Sequence, residues 1–166
     1  MSRGFVKEGD QEEVPIVIPR ANLPEGVTNY VTPNGFEELK QEHKSLIEEQ
    51  KILNEQASDT NRVQINYLTA KLHLLEDRMN SAKIVDLSKQ AQNEVHFGAL
   101  IKLYKEEENC HCQYQIVGID EANISLDKIS FLSPIAKVLL NKKIGDKIIL
   151  KTPLGDRIMR IDAIDY

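Results

Sequence analysis

Cys110, His111 and Cys112 are side chains that together could ligate zinc, two thiols flanking an imidazole. A structural zinc site needs four ligands, and no second cysteine or histidine cluster stands elsewhere in the chain to complete one. The trio is therefore expected in a hairpin loop with its thiols reduced. A second group with chemical character is cationic. Lys137, Lys142, Lys143, Lys147 and Lys151 crowd one stretch in which only Asp146 carries negative charge. Such a face is either simply solvated or meets an acidic partner surface.

The elements that would carry these groups can be read from periodicity. Phe36, Leu39, His43, Leu46, Gln50 and Leu53 recur at alternating steps of three and four, and so do Ile65, Leu68, Leu72, Leu75, Met79 and Ala82. Each set forms a narrow stripe on a helix, and the two stripes can cover one another in an antiparallel coiled coil. Ala57 to Arg62 interrupts the rhythm with turn and cap residues, among which Asp59 and Thr60 suit a helix-capping turn. An arm of about twenty residues spans roughly 30 Å, so the hairpin should project as a rod. Thr32 and Pro33 are a good N-cap and first helical position for its first arm.

Before the rod, residues 1–31 are acidic and then broken by Pro15, Pro19 and Pro24, which predicts a flexible leader whose apolar part could lie along the body or along a partner. After it, residues 83–166 alternate with a period of two. Strands are expected over 95–103, 114–119, 128–132, 147–152 and 157–164, with a short helix after Ser133 and Pro134. The expected fold class is α+β: a coiled-coil hairpin over 32–82 and an antiparallel sheet with one short helix over 83–166.

Charge and composition exclude some functions. Net charge is −5, with nine acids against six bases over 36–82 and twelve of each over 83–166, so no basic nucleic-acid footprint exists. No apolar run reaches transmembrane length, and the first residues lack the apolar core of a signal peptide, so a cytoplasmic protein is expected.

Several separated motifs resemble the bacterial GreA/GreB transcript cleavage factors: AKIVDLS at 82–88, VHFGA at 95–99, YQIVGIDEA at 114–122 and ISFLSPIAKVLLNKKIGDKIILKTPLGD at 129–156. The resemblance covers about residues 31–166 and leaves the leader outside. It implies an FKBP-like C-terminal domain that docks at the mouth of the secondary channel of RNA polymerase. The coil would enter the channel and bring acidic tip residues to the catalytic magnesium. In a two-metal phosphoryl site a weakly held second cation gains from added carboxylates, which is how hydrolysis of a backtracked transcript is switched on.

Against the family's tip, Asp59 stands in the place of an aspartate and Arg62 in that of a glutamate. A cation there repels the metal by about 1–4 kcal/mol at a few ångströms. Glu55 could rejoin Asp59 as a displaced pair if the first helix runs on that far. The arms also look shorter than the family's by roughly two turns, or about 10 Å of reach. Ser133, Pro134 and Lys137 are the docking candidates that the resemblance implies.

Two functions follow from the resemblance. The first is a polymerase-binding elongation regulator with cleavage stimulation weakened or lost, and the second an active cleavage factor using Asp59 with Glu55. Neither is an enzyme in itself or needs a cofactor of its own; the magnesium is the polymerase's, and nucleic acid is met only within the transcription complex. A prolyl isomerase, suggested by the FKBP-like body, would need an aromatic-lined pocket, whereas residues 83–166 offer only Phe97, Tyr104, Tyr114, Phe131 and Tyr166.

Overall fold

A computed structural model describes residues 15–56 and 59–166. Strand β1 (Asn29–Val31) leads into helix α1 (Pro33–Glu55), which is followed by α2 (Asp59–Asn80) and β2 (Ala82–Ile84). Helix α1 begins as the capping logic predicts: Thr32 Oγ1 accepts from the Gly35 amide at 2.9 Å, and Pro33 occupies the first turn. Leu39, Leu46, Leu68, Leu72 and Leu75 are the buried seam of the hairpin, with Phe36, Leu53, Tyr67 and Met79 packed on its margins. The polar seam positions bond across it. Gln50 Nε2 donates to Thr69 Oγ1 at 2.7 Å, and His43 Nε2 lies 3.0 Å from Glu76 Oε1. Near the tip Asn61 Nδ2 donates to the carbonyl of Leu53 at 3.2 Å.

Ala82 does not close the second stripe. Helix α2 stops at Asn80, and Ala82 opens β2, which pairs in parallel with β1 (Asn29 opposite Ala82, Val31 opposite Ile84). The two ends of the rod are thereby joined side by side. This pair also abuts the body, where a Cβ on Gly118 would lie 2.6 Å from the Tyr30 carbonyl oxygen, so only glycine lets the backbones approach.

The body is a five-stranded sheet made of β3 (Leu100–Lys105), β4 (Cys110–Val117), β5 (Lys128–Ser130), β6 (Lys147–Thr152) and β7 (Gly155–Asp165), in the spatial order β5-β4-β3-β7-β6. Three pairings are antiparallel, as expected, while β5 runs parallel to β4 after a connection containing a short 3₁₀ turn. Helix α3 (Pro134–Leu139) buries Ala136 and Leu139 into a core of Val95, Ile101, Leu103, Ile116, Ile148 and Ile161. Tyr30, Phe97 and Phe131 pack edge-on or tilted, with centroids 5.7–5.9 Å apart, and Phe97 and Phe131 also lie against that core.

Two expected boundaries shift. The strand read over 95–103 starts only at Leu100, because Gly98 adopts φ +92° and the Ala99 amide closes a turn on His96. The Cys-His-Cys run lies in strand β4, not in a loop. The turn is made earlier, by residues 106–109, with Asn109 at φ +50°.

Candidate functional site

At the rod tip, α1 ends at Glu55 and α2 begins at Asp59. The two acids therefore sit on opposite arms, on either side of the connection, and are not one turn apart on a single helix. Ala57, Ser58 and the side chains of Asp59 and Thr60 lie outside the described residues. Glu55 is exposed, 4.0 Å from Lys51 Nζ. Arg62 is exposed on the first turn of α2.

On the body, Ser133 Oγ accepts from the Ala136 amide at 3.2 Å and so acts as the N-cap of α3. The residues presented outward at that corner are Pro134 and Lys137, both exposed. Lys142, Lys143, Lys147 and Lys151 are exposed as well, and Lys147 pairs with Glu106 at 2.7 Å. Asp146 accepts from the Lys143 amide at 2.8 Å, so that carboxylate shapes its turn.

Strand alternation separates the Cys-His-Cys trio: Cys110 and Cys112 are half-buried, and His111 is exposed on the other face, 2.9 Å from Asp162. Asp162 is the bulged residue of β7, skipped where Lys102 pairs Ala163 and Leu103 pairs Ile161. Arg160, at 2.7 Å, and then His111 hold its carboxyl below the usual range. Burial pushes the Cys112 thiol up, which keeps it protonated. Among the described residues no cluster of three or more acidic, histidine or cysteine side chains could hold a metal ion.

The densest polar constellation is at the base of the rod, and sequence reasoning missed most of it. Thr32 Oγ1 donates to Glu121 Oε2 at 2.5 Å, and Lys128 Nζ lies 3.1 Å from Glu121 and 3.3 Å from Glu38. The neighbouring Asp120 faces Arg20 and Arg78 at 3.0 and 3.3 Å. Asp120 and Glu121 are 7% exposed or less in their side chains, so buried acids on the loop after β4 tie the body to both arms. Their signal was visible in the sequence: two adjacent acids directly follow the apolar run Ile116-Val117-Gly118-Ile119.

A projecting helical hairpin tied by ion pairs to a five-stranded sheet with one short helix is the architecture here, and comparison with known proteins assigns it. Residues 89–166 match the family model "Transcription elongation factor, GreA/GreB, C-term". The chain is 31% identical to the transcription elongation factor GreA of Rickettsia felis over 151 residues, covering 82% of this chain and 93% of the relative. The chain therefore belongs to the GreA/GreB family.

A GreA from Vesicomyosocius okutanii is 39% identical over 102 residues, 61% of this chain and 64% of that protein. Alignments to relatives of this kind thus span just under two thirds of their length. Among solved structures, GreA factor homolog 1 of Thermus thermophilus is 28% identical with a TM-score of 0.41, covering 84% of this chain and 100% of that one.

Proposed function

We propose that the protein regulates transcription elongation by binding bacterial RNA polymerase through its sheet domain and inserting the hairpin into the secondary channel, with stimulation of transcript cleavage weakened or lost. The observation that carries the second half is the tip. Its acids are Glu55 and Asp59, on opposite arms, and in the sequence Arg62 follows Asp59 by three residues, where the family carries a second acid. A hard cation such as magnesium is held by converging oxygen ligands, and a cationic residue in place of the second acid removes a ligand and adds a repelling charge.

Family membership supports the polymerase as partner, and the exposed Pro134 and Lys137 beside the capping Ser133 are the proposed docking contacts. The protein itself then performs no catalysis and carries no cofactor; any magnesium is the polymerase's. Among the described residues no helix is long and apolar enough to cross a membrane, and a cytoplasmic role beside the polymerase is part of the same reading.

A second reading, an active cleavage factor, is favoured by Asp59 itself, which holds the place of the family's aspartate, with Glu55 the nearest further acid. A backtracked elongation complex separates the two. Under the first reading the protein leaves the transcript full length and, added in excess, slows cleavage by an active GreA. Shortened transcripts that vanish with Asp59→Ala would establish the second.

A further inference from the structure

The leader ahead of β1 is not absorbed by this function. From residue 15 it runs without regular structure to the line where the hairpin meets the sheet, and Arg20 fastens it there. Arg20 Nε donates to Asp120 Oδ1 at 3.0 Å, and its two terminal nitrogens donate to both oxygens of Glu42 at 2.9 and 3.0 Å. Glu42 belongs to α1 and Asp120 to the loop after β4, so one guanidinium spans rod and body. On the other arm, Arg78 Nη2 of α2 donates to the Ala21 carbonyl at 2.6 Å.

The hold is polar and local. Ile16 and Ile18 are 94% and 80% exposed, so the leader buries little apolar surface of its own. The second oxygen of Asp120 is 3.3 Å from Arg78 Nη1, but neither atom has an aligned hydrogen bond there, which leaves Arg20 as the aligned donor to that buried carboxylate. A planar fork can bond both oxygens of Glu42 with its two terminal nitrogens while Nε reaches Asp120; an ammonium, whose donors all leave one atom, does not reproduce that spread.

We propose that residues 15–28 form a brace that sets the angle at which the rod leaves the body, with Arg20 as the positioning residue that locks it. The proposal rests on the rod being the part that enters the polymerase, because only then does its angle matter to the partner. An arm of 23 residues is about 35 Å long, so a tilt of about 10° at its base moves the tip by about 6 Å. That displacement is more than twice a metal–oxygen bond, which is about 2.0–2.6 Å long.

The test uses the full chain with Cys110→Ser and Cys112→Ser, spin-labelled at Glu48→Cys on α1 and Asp156→Cys at the β6–β7 turn. Pulsed distance measurement should give one narrow distribution for this parent, and a broad or split one for Arg20→Ala. Glu42→Gln, which leaves both arginines on Asp120, should broaden it too, so the proposal stays testable if Arg20→Ala fails to fold. Arg20→Lys should not restore the narrow distribution. Distributions that superimpose on the parent's for Arg20→Ala, or for Glu42→Gln alone if the first variant is unfolded, overturn the brace. The measurement is made without polymerase: broadening in a protein that polymerase ignores overturns the functional reading and leaves the brace standing.

Discussion

Gly35 shows how one residue at the base of the rod is constrained by what packs on it. A Cβ there would lie 2.4 Å from Glu121 Oε2 and 3.2 Å from Thr32 Oγ1, in a site where the carboxylate is already bonded. Gly35→Ala is therefore expected to cost about 1–3 kcal/mol, read as a lowered denaturation midpoint. Lys128 makes the same junction pH-sensitive. Burial alone would lower its pKa, but hydrogen bonds and charge from Glu121 and Glu38 more than offset that and raise it. A raised folded pKa means that its contribution is complete below the ordinary value of 10.5 and is lost as the pH rises through the raised value. The thermal midpoint of the parent should thus fall more steeply on alkaline titration than that of Lys128→Met. At Cys112, where burial disfavours the thiolate, alkylation at neutral pH should be slower than that of a free cysteine peptide, followed by mass spectrometry.

Among the elements, the hairpin was the most legible because its helical period has a single physical meaning once both stripes are strict. Leu75, fully buried in the seam, anchors it, and Leu75→Ala should cost about 2–5 kcal/mol, with loss of helical signal at a lower temperature. Gln50 and Thr69, bonded across the seam, resemble the polar positions that fix register in coiled coils. Gln50→Leu with Thr69→Val should raise stability while loosening register, visible as heterogeneous cross-linking between the arms. The sheet was legible in its strands but not in their limits. Val95 and Phe97 alternate like strand residues, yet Gly98 turns the chain between them and Leu100, and alternation alone cannot register a backbone angle. Strand β4 was read short because cysteines and histidine looked like loop chemistry, whereas the register Lys105 to Cys110 places the turn before them. The parallel pairing of β5 with β4 depends on how the connection folds over the edge, which no local pattern carries.

For the molecule as a whole, family resemblance pointed to the tip and to the Ser133-Pro134 corner as candidates, whereas nothing pointed to the base, because its contacts join residues far apart in the chain. Thr32 meets Glu121, Arg20 meets Asp120, and Asn29 Nδ2 donates to the Arg78 carbonyl at 3.0 Å; each partner alone reads as an ordinary cap, loop acid or isolated cation. Burial of Asp120 and Glu121 becomes informative only once the fold is formed. Binding at this scale should show the salt sensitivity of a charged contact. Lys137→Glu is expected to weaken retention on polymerase, more so at low ionic strength, while leaving the folding midpoint within about 0.5 kcal/mol.

The parallel register of Asn29 with Ala82 gives the rod a further property. Since departure and return points are stitched together, the intervening segment behaves as a cassette whose span is a free variable. Inserting one heptad into each arm would extend it by about 10 Å and leave the foundation untouched. A lineage could thus tune how far such an arm reaches by duplication alone, without redesigning the socket that bears it.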